Sequence, residues 1–198
     1  MNVGLFFGTF NPIHVGHLII ANYMANYTDL DQVWLIVSPH NPLKDKSTLL
    51  SDHHRLTLVR IALEDNAKLW VSDIEFSLPQ PSYTVKTLAV LKEKYPDHTF
   101  SLIMGEDNLR SFPKWYNYEK ILEGHTIYVY PRVEHSSTTE EAEKDAVVLH
   151  PNIRRCNDVP LMQVSASFIR QSIQQKKDVR YLLTEPVFTY IDEMHFYR

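Results

Sequence analysis

One cysteine, Cys156, occurs in the 198 residues, so no internal disulfide is available and a closed zinc site built on thiolates is excluded. A single thiol agrees with a reducing compartment, and Cys156 is expected to be an inert structural residue. Long apolar runs are missing as well. The longest uninterrupted one is Val33-Trp34-Leu35-Ile36-Val37, far short of the roughly 20 residues of a membrane-spanning helix, and no signal-peptide pattern precedes the first strand-like segment. Positive charge shows no excess: 20 Lys and Arg stand against 24 Asp and Glu, a formal net charge of −4. That balance argues against general binding to nucleic acid or to an anionic membrane, although it leaves room for a local basic pocket. No internal repeat is visible. The absences together lead to the expectation of a cytoplasmic protein with neither nucleic-acid nor membrane partners.

What is present is the composition of a globular chain, 44% hydrophobic and 22% charged, with a length that suits one domain over residues 1–198. Strand-like runs at residues 3–7, 33–38, 69–74, 100–104 and 126–130 alternate with helix-like runs, the pattern of a parallel sheet with crossover helices. The expected fold class is α/β, a doubly wound Rossmann-like parallel sheet with helices on both faces and a small helical C-terminal part at 165–198. Helices are expected over 18–27, after a Ser51 cap with Leu56, Val59 and Leu63 at helical spacing, and after a Thr84 cap through Leu88 and Leu91 to Tyr95-Pro96. Ser165 is expected to cap another through Gln175, and Thr184-Glu185-Pro186 to open the last. Residues 134–145 are polar and read as a surface insertion without chemistry.

The chemistry concentrates at the start of the chain. An apolar strand pattern, Val3 to Phe7, runs through Gly8-Thr9-Phe10-Asn11-Pro12-Ile13 into His14-Val15-Gly16-His17. The first N–H groups of a helix lack internal partners, and the aligned peptide dipoles favour an anion there. Two histidines three residues apart share one face of such a turn, each can donate to phosphate oxygens, and Gly16 keeps that face open. The competing reading is an ordinary surface turn with two solvated histidines. In open parallel sheets ligands bind outside the carboxyl ends of the strands, near a reversal of strand order. Residues 9–17, 39–46, 80–84 and 105–108 all follow strand-like runs and are expected to converge there.

Gly8-Thr9-Phe10-Asn11-Pro12-Ile13-His14-Val15-Gly16-His17 resembles the signature of the nucleotidyltransferase superfamily. Three later segments narrow the resemblance: Pro81-Ser82-Tyr83-Thr84-Val85-Lys86-Thr87-Leu88, Met104-Gly105-Glu106-Asp107-Asn108-Leu109 with Trp115, and Val164-Ser165-Ala166-Ser167-Phe168-Ile169-Arg170. In this order they are similar to the bacterial nicotinate mononucleotide adenylyltransferases, over nearly the whole chain. The resemblance implies adenylyl transfer from ATP to nicotinate mononucleotide, giving deamido-NAD and pyrophosphate without a covalent enzyme intermediate, with Mg²⁺ carried mainly on the ATP phosphates.

It also implies roles. His14, His17 and Arg170 would be catalytic, stabilising charge on the triphosphate. Gly8, Thr9, Phe10, Gly16, Gly105, Asp107, Ser165, Ser167 and Ile169 would bind ATP; Lys44, Tyr83, Thr84, Trp115 and Tyr116 would bind the acceptor. No protein ligand to the metal is expected. Other readings stay open for individual residues: a helix cap for Asp107, core packing for Trp115, a solvated cation for Arg170. Leu43, Asn11 and Leu78 stand where the family usually has histidine, aspartate and arginine. His40 is a candidate substitute for the histidine absent at Leu43, and the missing cation at Leu78 bears on acceptor choice. Alternatives for the whole chain are an adenylyltransferase acting on nicotinamide mononucleotide or 4'-phosphopantetheine, and a non-catalytic nucleotide-binding module. A homo-oligomer is left open.

Overall fold

A computed structural model describes residues 1–39, 49–64, 66–131, 147 and 149–198. Six parallel strands form one sheet in the order β3-β2-β1-β4-β5-β6: β1 Asn2–Gly8, β2 Gln32–Val37, β3 Leu69–Ser72, β4 Thr99–Gly105, β5 Ile127–Tyr130 and β6 Ile153–Arg155. Side-chain alternation along each strand feeds two separate cores. Val3 and Leu5 join Trp34, Ile36, Leu102 and Val129 on one face, while Phe6 joins Val33, Leu35, Ile103 and Tyr128 on the other. Covered on both faces, the central strands read as nearly continuous hydrophobic runs, as parallel strands must. Gly4 leaves room for the side chains packed over β1, since a Cβ there would meet Leu30 Cδ1 at 2.6 Å and Ile103 Cδ1 at 2.8 Å.

Among the described residues seven α-helices cover the sheet: α1 Val15–Tyr27, α2 Asp52–Leu63, α3 Thr84–Lys94, α4 Glu106–Ser111, α5 Tyr118–Gly124, α6 Ala166–Gln174 and α7 Glu185–Glu193. Buried residues of α1, α2, α6 and α7 pack in the first strand-facing core with Phe6, and those of α3, α4 and α5 in the second. Two caps work as the sequence requires: Ser51 accepts from the His54 N–H at 3.4 Å and Ser165 from the Phe168 N–H at 3.1 Å. The third does not. Tyr83 is the N-cap of α3 and Thr84 is already its first helical residue. The third strand also stops early, at Ser72, because residues 74–77 turn into a 3₁₀ segment that buries Ile74 and Glu75. The fifth strand likewise begins one residue late, at Ile127.

The decisive feature is the strand order. From β1 the chain steps outward to β2 and β3, then returns to the other side of β1 for β4, β5 and β6. Connections therefore leave β1 and β4 in opposite directions, and a crevice opens between their carboxyl ends. No helix among the described residues is long and apolar enough to cross a membrane.

Candidate active site

The turn after β1 delivers the histidines by a tight local route. Phe10 sits at φ 45°, in the left-handed region that side chains rarely adopt. Burial holds it there: the ring is 2% exposed and packs edge-on against Phe6 and His17, with centroids 5.9 and 5.1 Å away. Gly8 is required by the same ring, because a Cβ at Gly8 would lie 2.8 Å from Phe10 Cζ. The chain then enters α1 with His14 as N-cap and His17 as the third helical residue. Their imidazoles stack with centroids 3.7 Å apart and planes inclined by 27°. The His14 backbone N–H donates to His17 Nδ1 at 3.3 Å. With Nδ1 engaged as an acceptor, neutral His17 carries its proton on Nε2, where it can be donated. Gly16 stands behind the pair, and a Cβ there would press on the His14 ring at 3.1 Å.

A cleft of about 430 Å³ lies over this turn. It is lined by Gly8, Thr9, Phe10, His14, Gly16 and His17 from the first strand-turn-helix, Asp107 and Asn108 from α4, Tyr130 and Pro131 after β5, and Val164, Ser165 and Ser167 at the start of α6. Segments distant in sequence thus converge on the β1/β4 reversal. Asp107 is the second residue of α4 and Gly105 is its N-cap, so the capping alternative for Asp107 does not hold. Gly105 makes room for it: a Cβ there would lie 2.5 Å from Asp107 Oδ1. Gly105 and Arg170 do not themselves line the cleft; Arg170 donates from α6 to the Asn11 carbonyl at 2.7 Å and to Ser167 Oγ at 3.2 Å, beside the turn.

Not every expected residue reaches this cleft. Ile169 has a side chain with no exposed surface, and its N–H is engaged by the Ser165 carbonyl at 3.1 Å. Tyr83, Thr84, Trp115 and Tyr116 are not among the lining residues. Tyr83 and Tyr116 form an exposed aromatic pair with rings 4.9 Å apart, and Trp115 is half-buried against Phe112 at 5.4 Å. Lys44, His40 and Leu43, and the insertion at 134–145, lie outside the described residues. A larger cavity, about 500 Å³, opens between α6 and α7 and carries none of the motif residues.

Two residues that the motifs do not mark, Tyr197 and Arg55, help to hold the site together. Asn11 Oδ1 accepts from the Tyr197 hydroxyl at 2.6 Å and from the Leu50 N–H at 3.2 Å, so the turn is tied to residues far along the chain. Burial pushes the Tyr197 phenol up, against the opposing pull of Arg170 and Arg55, which keeps it a proton donor. Arg55, wholly buried on α2, donates to three backbone carbonyls around the turn. One signal for it existed: Arg55 shares the stripe of Val59 and Leu63, and a charge in an apolar stripe must find partners inside.

The cytidylyltransferase-like family model matches residues 5–172. A protein named probable nicotinate-nucleotide adenylyltransferase from Flavobacterium johnsoniae is 58% identical over 198 residues, all of both chains. The chain belongs to the nicotinate-nucleotide adenylyltransferases. A protein of the same name from Bacteroides thetaiotaomicron is 42% identical, covering 98% of this chain and 92% of its own. Among solved structures, the nicotinic acid mononucleotide adenylyltransferase of Plasmodium falciparum complexed with NaAD superposes with a TM-score of 0.81 at 20% identity, covering 99% of this chain and 97% of its own. At that identity the likeness speaks for the fold.

Proposed function

We propose that the protein transfers the adenylyl group of ATP to nicotinate mononucleotide in the cytoplasm, releasing pyrophosphate and deamido-NAD, with residues 1–198 working as one unit. The observation that carries the residue-level reading is the stacked His14 and His17 pair at the start of α1, inside the cleft at the strand-order reversal. An oxygen of the acceptor phosphate attacks the α-phosphorus of ATP as the bond to the β-phosphate oxygen breaks in line with it. The acceptor is already a nucleophile, so the work is positioning and neutralising charge. His14 and His17 donate to the triphosphate, the α1 N-terminus supplies backbone N–H groups, and Arg170 neutralises the departing pyrophosphate from the α6 side. Asp107 accepts from the ribose hydroxyls. Gly8, Thr9, Phe10, Gly16, Gly105, Ser165 and Ser167 give the backbone approach and donors that surround the nucleotide, and Ile169 contributes by fixing α6 in the core.

ATP enters as its Mg²⁺ complex, the ion held by phosphate oxygens and water in the manner usual for Mg²⁺. Trp115 and Tyr116 offer flat faces to the pyridine ring, the N–H groups at Tyr83 and Thr84 receive the nicotinate carboxylate, and Lys44 draws in the acceptor phosphate. A carboxylate suits donor groups better than an amide, which brings N–H donors of its own. The resulting preference is about tenfold to a hundredfold, the scale of one hydrogen bond to a charged group.

The test is chromatographic separation of products from ATP and Mg²⁺ with nicotinate mononucleotide, nicotinamide mononucleotide or 4'-phosphopantetheine at matched concentrations. Deamido-NAD formed fastest is the expected result. Equal rates with acid and amide would remove the acceptor preference and point to the missing cation at Leu78. Exclusive use of phosphopantetheine would reassign the acceptor, and no pyrophosphate with any of them would leave a nucleotide-binding module.

A further inference from the structure

We infer that Arg55 is a positioning residue that sets the orientation of the Thr9–Phe10 peptide, turning its N–H toward the cleft as a donor to the triphosphate. Arg55 has no exposed surface. Its Nη1 donates to the Thr9 carbonyl at 2.6 Å and to the Ser38 carbonyl at 2.8 Å, its Nε donates to the Leu50 carbonyl at 3.1 Å, and Nη2 pairs with the Asp52 carboxylate. The three carbonyls belong to three segments: the turn after β1, the end of β2, and the approach to α2. Only a planar guanidinium, with donors fixed in a fork, bridges that set from one buried point.

The consequence for the turn follows from peptide geometry. In a trans peptide the C=O and N–H point to opposite sides of the chain. A guanidinium that draws the Thr9 oxygen inward therefore fixes the Phe10 N–H facing outward, on a segment whose two residues line the cleft. Phe10 is held at φ 45°, where an unrestrained peptide would relax. The Phe10 ring anchors one side of this arrangement and Arg55 the other. Asp52 offsets the buried charge, so the device costs the fold no unpaired ion.

This inference rests on the cleft being the ATP site, and its test separates the two. In Arg55→Lys, which keeps the charge but loses the fork, the KM for ATP should rise about 10-fold to 100-fold, the scale of one hydrogen bond to a charged group. The KM for nicotinate mononucleotide should stay within about twofold; uniform loss of folded protein would change neither constant, so a rise confined to ATP is not unfolding. A variant with a lower melting temperature and unchanged KM for ATP would overturn the assignment. The unmodified protein gives an independent readout: on titration with ATP and Mg²⁺ the Phe10 amide resonance should move more than that of any other residue in the turn. A Phe10 amide that stays still while ATP binds and is turned over would sink the role of Arg55 and leave the proposed activity standing. A protein that binds no ATP would sink both.

Discussion

The two regions proposed above, a phosphate side and an acceptor side, are built differently. The turn at residues 8–17 is tied across the chain: the Thr9 carbonyl to buried Arg55, the Asn11 carbonyl to Arg170, the Asn11 side chain to the Tyr197 hydroxyl and the Leu50 N–H, and the Phe10 ring to the core. On the other side Tyr83 and Tyr116 meet ring to ring and are 38% and 53% exposed. Rigid donors suit the part that stabilises a transition state, because preorganisation spares reorganisation at the moment of reaction. Adaptable aromatic faces suit the part that recognises a ring, since stacking tolerates small displacements.

The sharpest way to break this contrast is His17→Ala. Turnover should fall about 100-fold to 1000-fold, the scale of one lost preorganised donor, with circular dichroism unchanged; near-normal turnover would remove His17 from the chemistry. A smaller effect is expected at Gly105→Ala, where the new methyl must displace the Asp107 carboxylate from 2.5 Å. Loss of one ribose contact should raise the KM for ATP about tenfold, and an unaltered KM would show that Asp107 does not touch the nucleotide. On the acceptor side, Trp115→Ala should raise the KM for nicotinate mononucleotide about threefold to tenfold, as for one lost aromatic contact, and leave that for ATP alone. Equal effects on both substrates would mean that Trp115 serves packing against Phe112.

The smallest effect lies away from both regions. The Tyr128 hydroxyl, helped by Arg154 and opposed by partial burial, holds the Asp29 carboxyl below the usual carboxylate range. A lowered folded-state pKa stabilises the protein above the ordinary value near 3.8, and the contribution fades as pH falls through the lowered value. Both Asp29 and Arg154 are more than half exposed on their side chains, so Asp29→Asn should cost only about 0.5 kcal/mol. Denaturant melts should show that difference constant from about pH 7 to 5 and shrinking below about pH 4. A gap that widens in acid would reverse the assignment.

The sequence made the phosphate side legible because its signals are local. Gly8, the two histidines and the Ser165 cap lie within short segments whose spacing alone places them on one turn or helix end. Arg55 and Tyr197 work through contacts made 46 and 186 residues away, which no local period encodes. Strand β6 was illegible for another reason: Ile153-Arg154-Arg155 is too short and too polar to show alternation, and it is a strand only because β5 offers a free edge. Residue type points to Thr84 as the cap of α3, but the backbone of Tyr83 is the extended one, at φ −117° and ψ 134°. Of the four segments expected at one crevice, residues 9–17 and 105–108 contribute lining residues, and 40–46 lie outside the described residues. Residues 80–84 fall outside the lining because the 3₁₀ turn at Ile74–Ser77 intervenes between β3 and that segment.

Synthesis proceeds from the N-terminus, and the bond between Tyr197 and Asn11 gives that direction a meaning. A ribosome that has delivered residues 1–130 has supplied β1 through β5, enough to set the order of the sheet. The first loop of the molecule is still unfinished at that moment, because Arg170 and Tyr197 have yet to emerge. A nascent chain therefore has the order of its sheet before it has the partners of its first turn. Premature termination after β5 would leave out α6 and α7, which cover the Phe6 face of the sheet, together with Arg170 and Tyr197, so both one core and the turn would be incomplete.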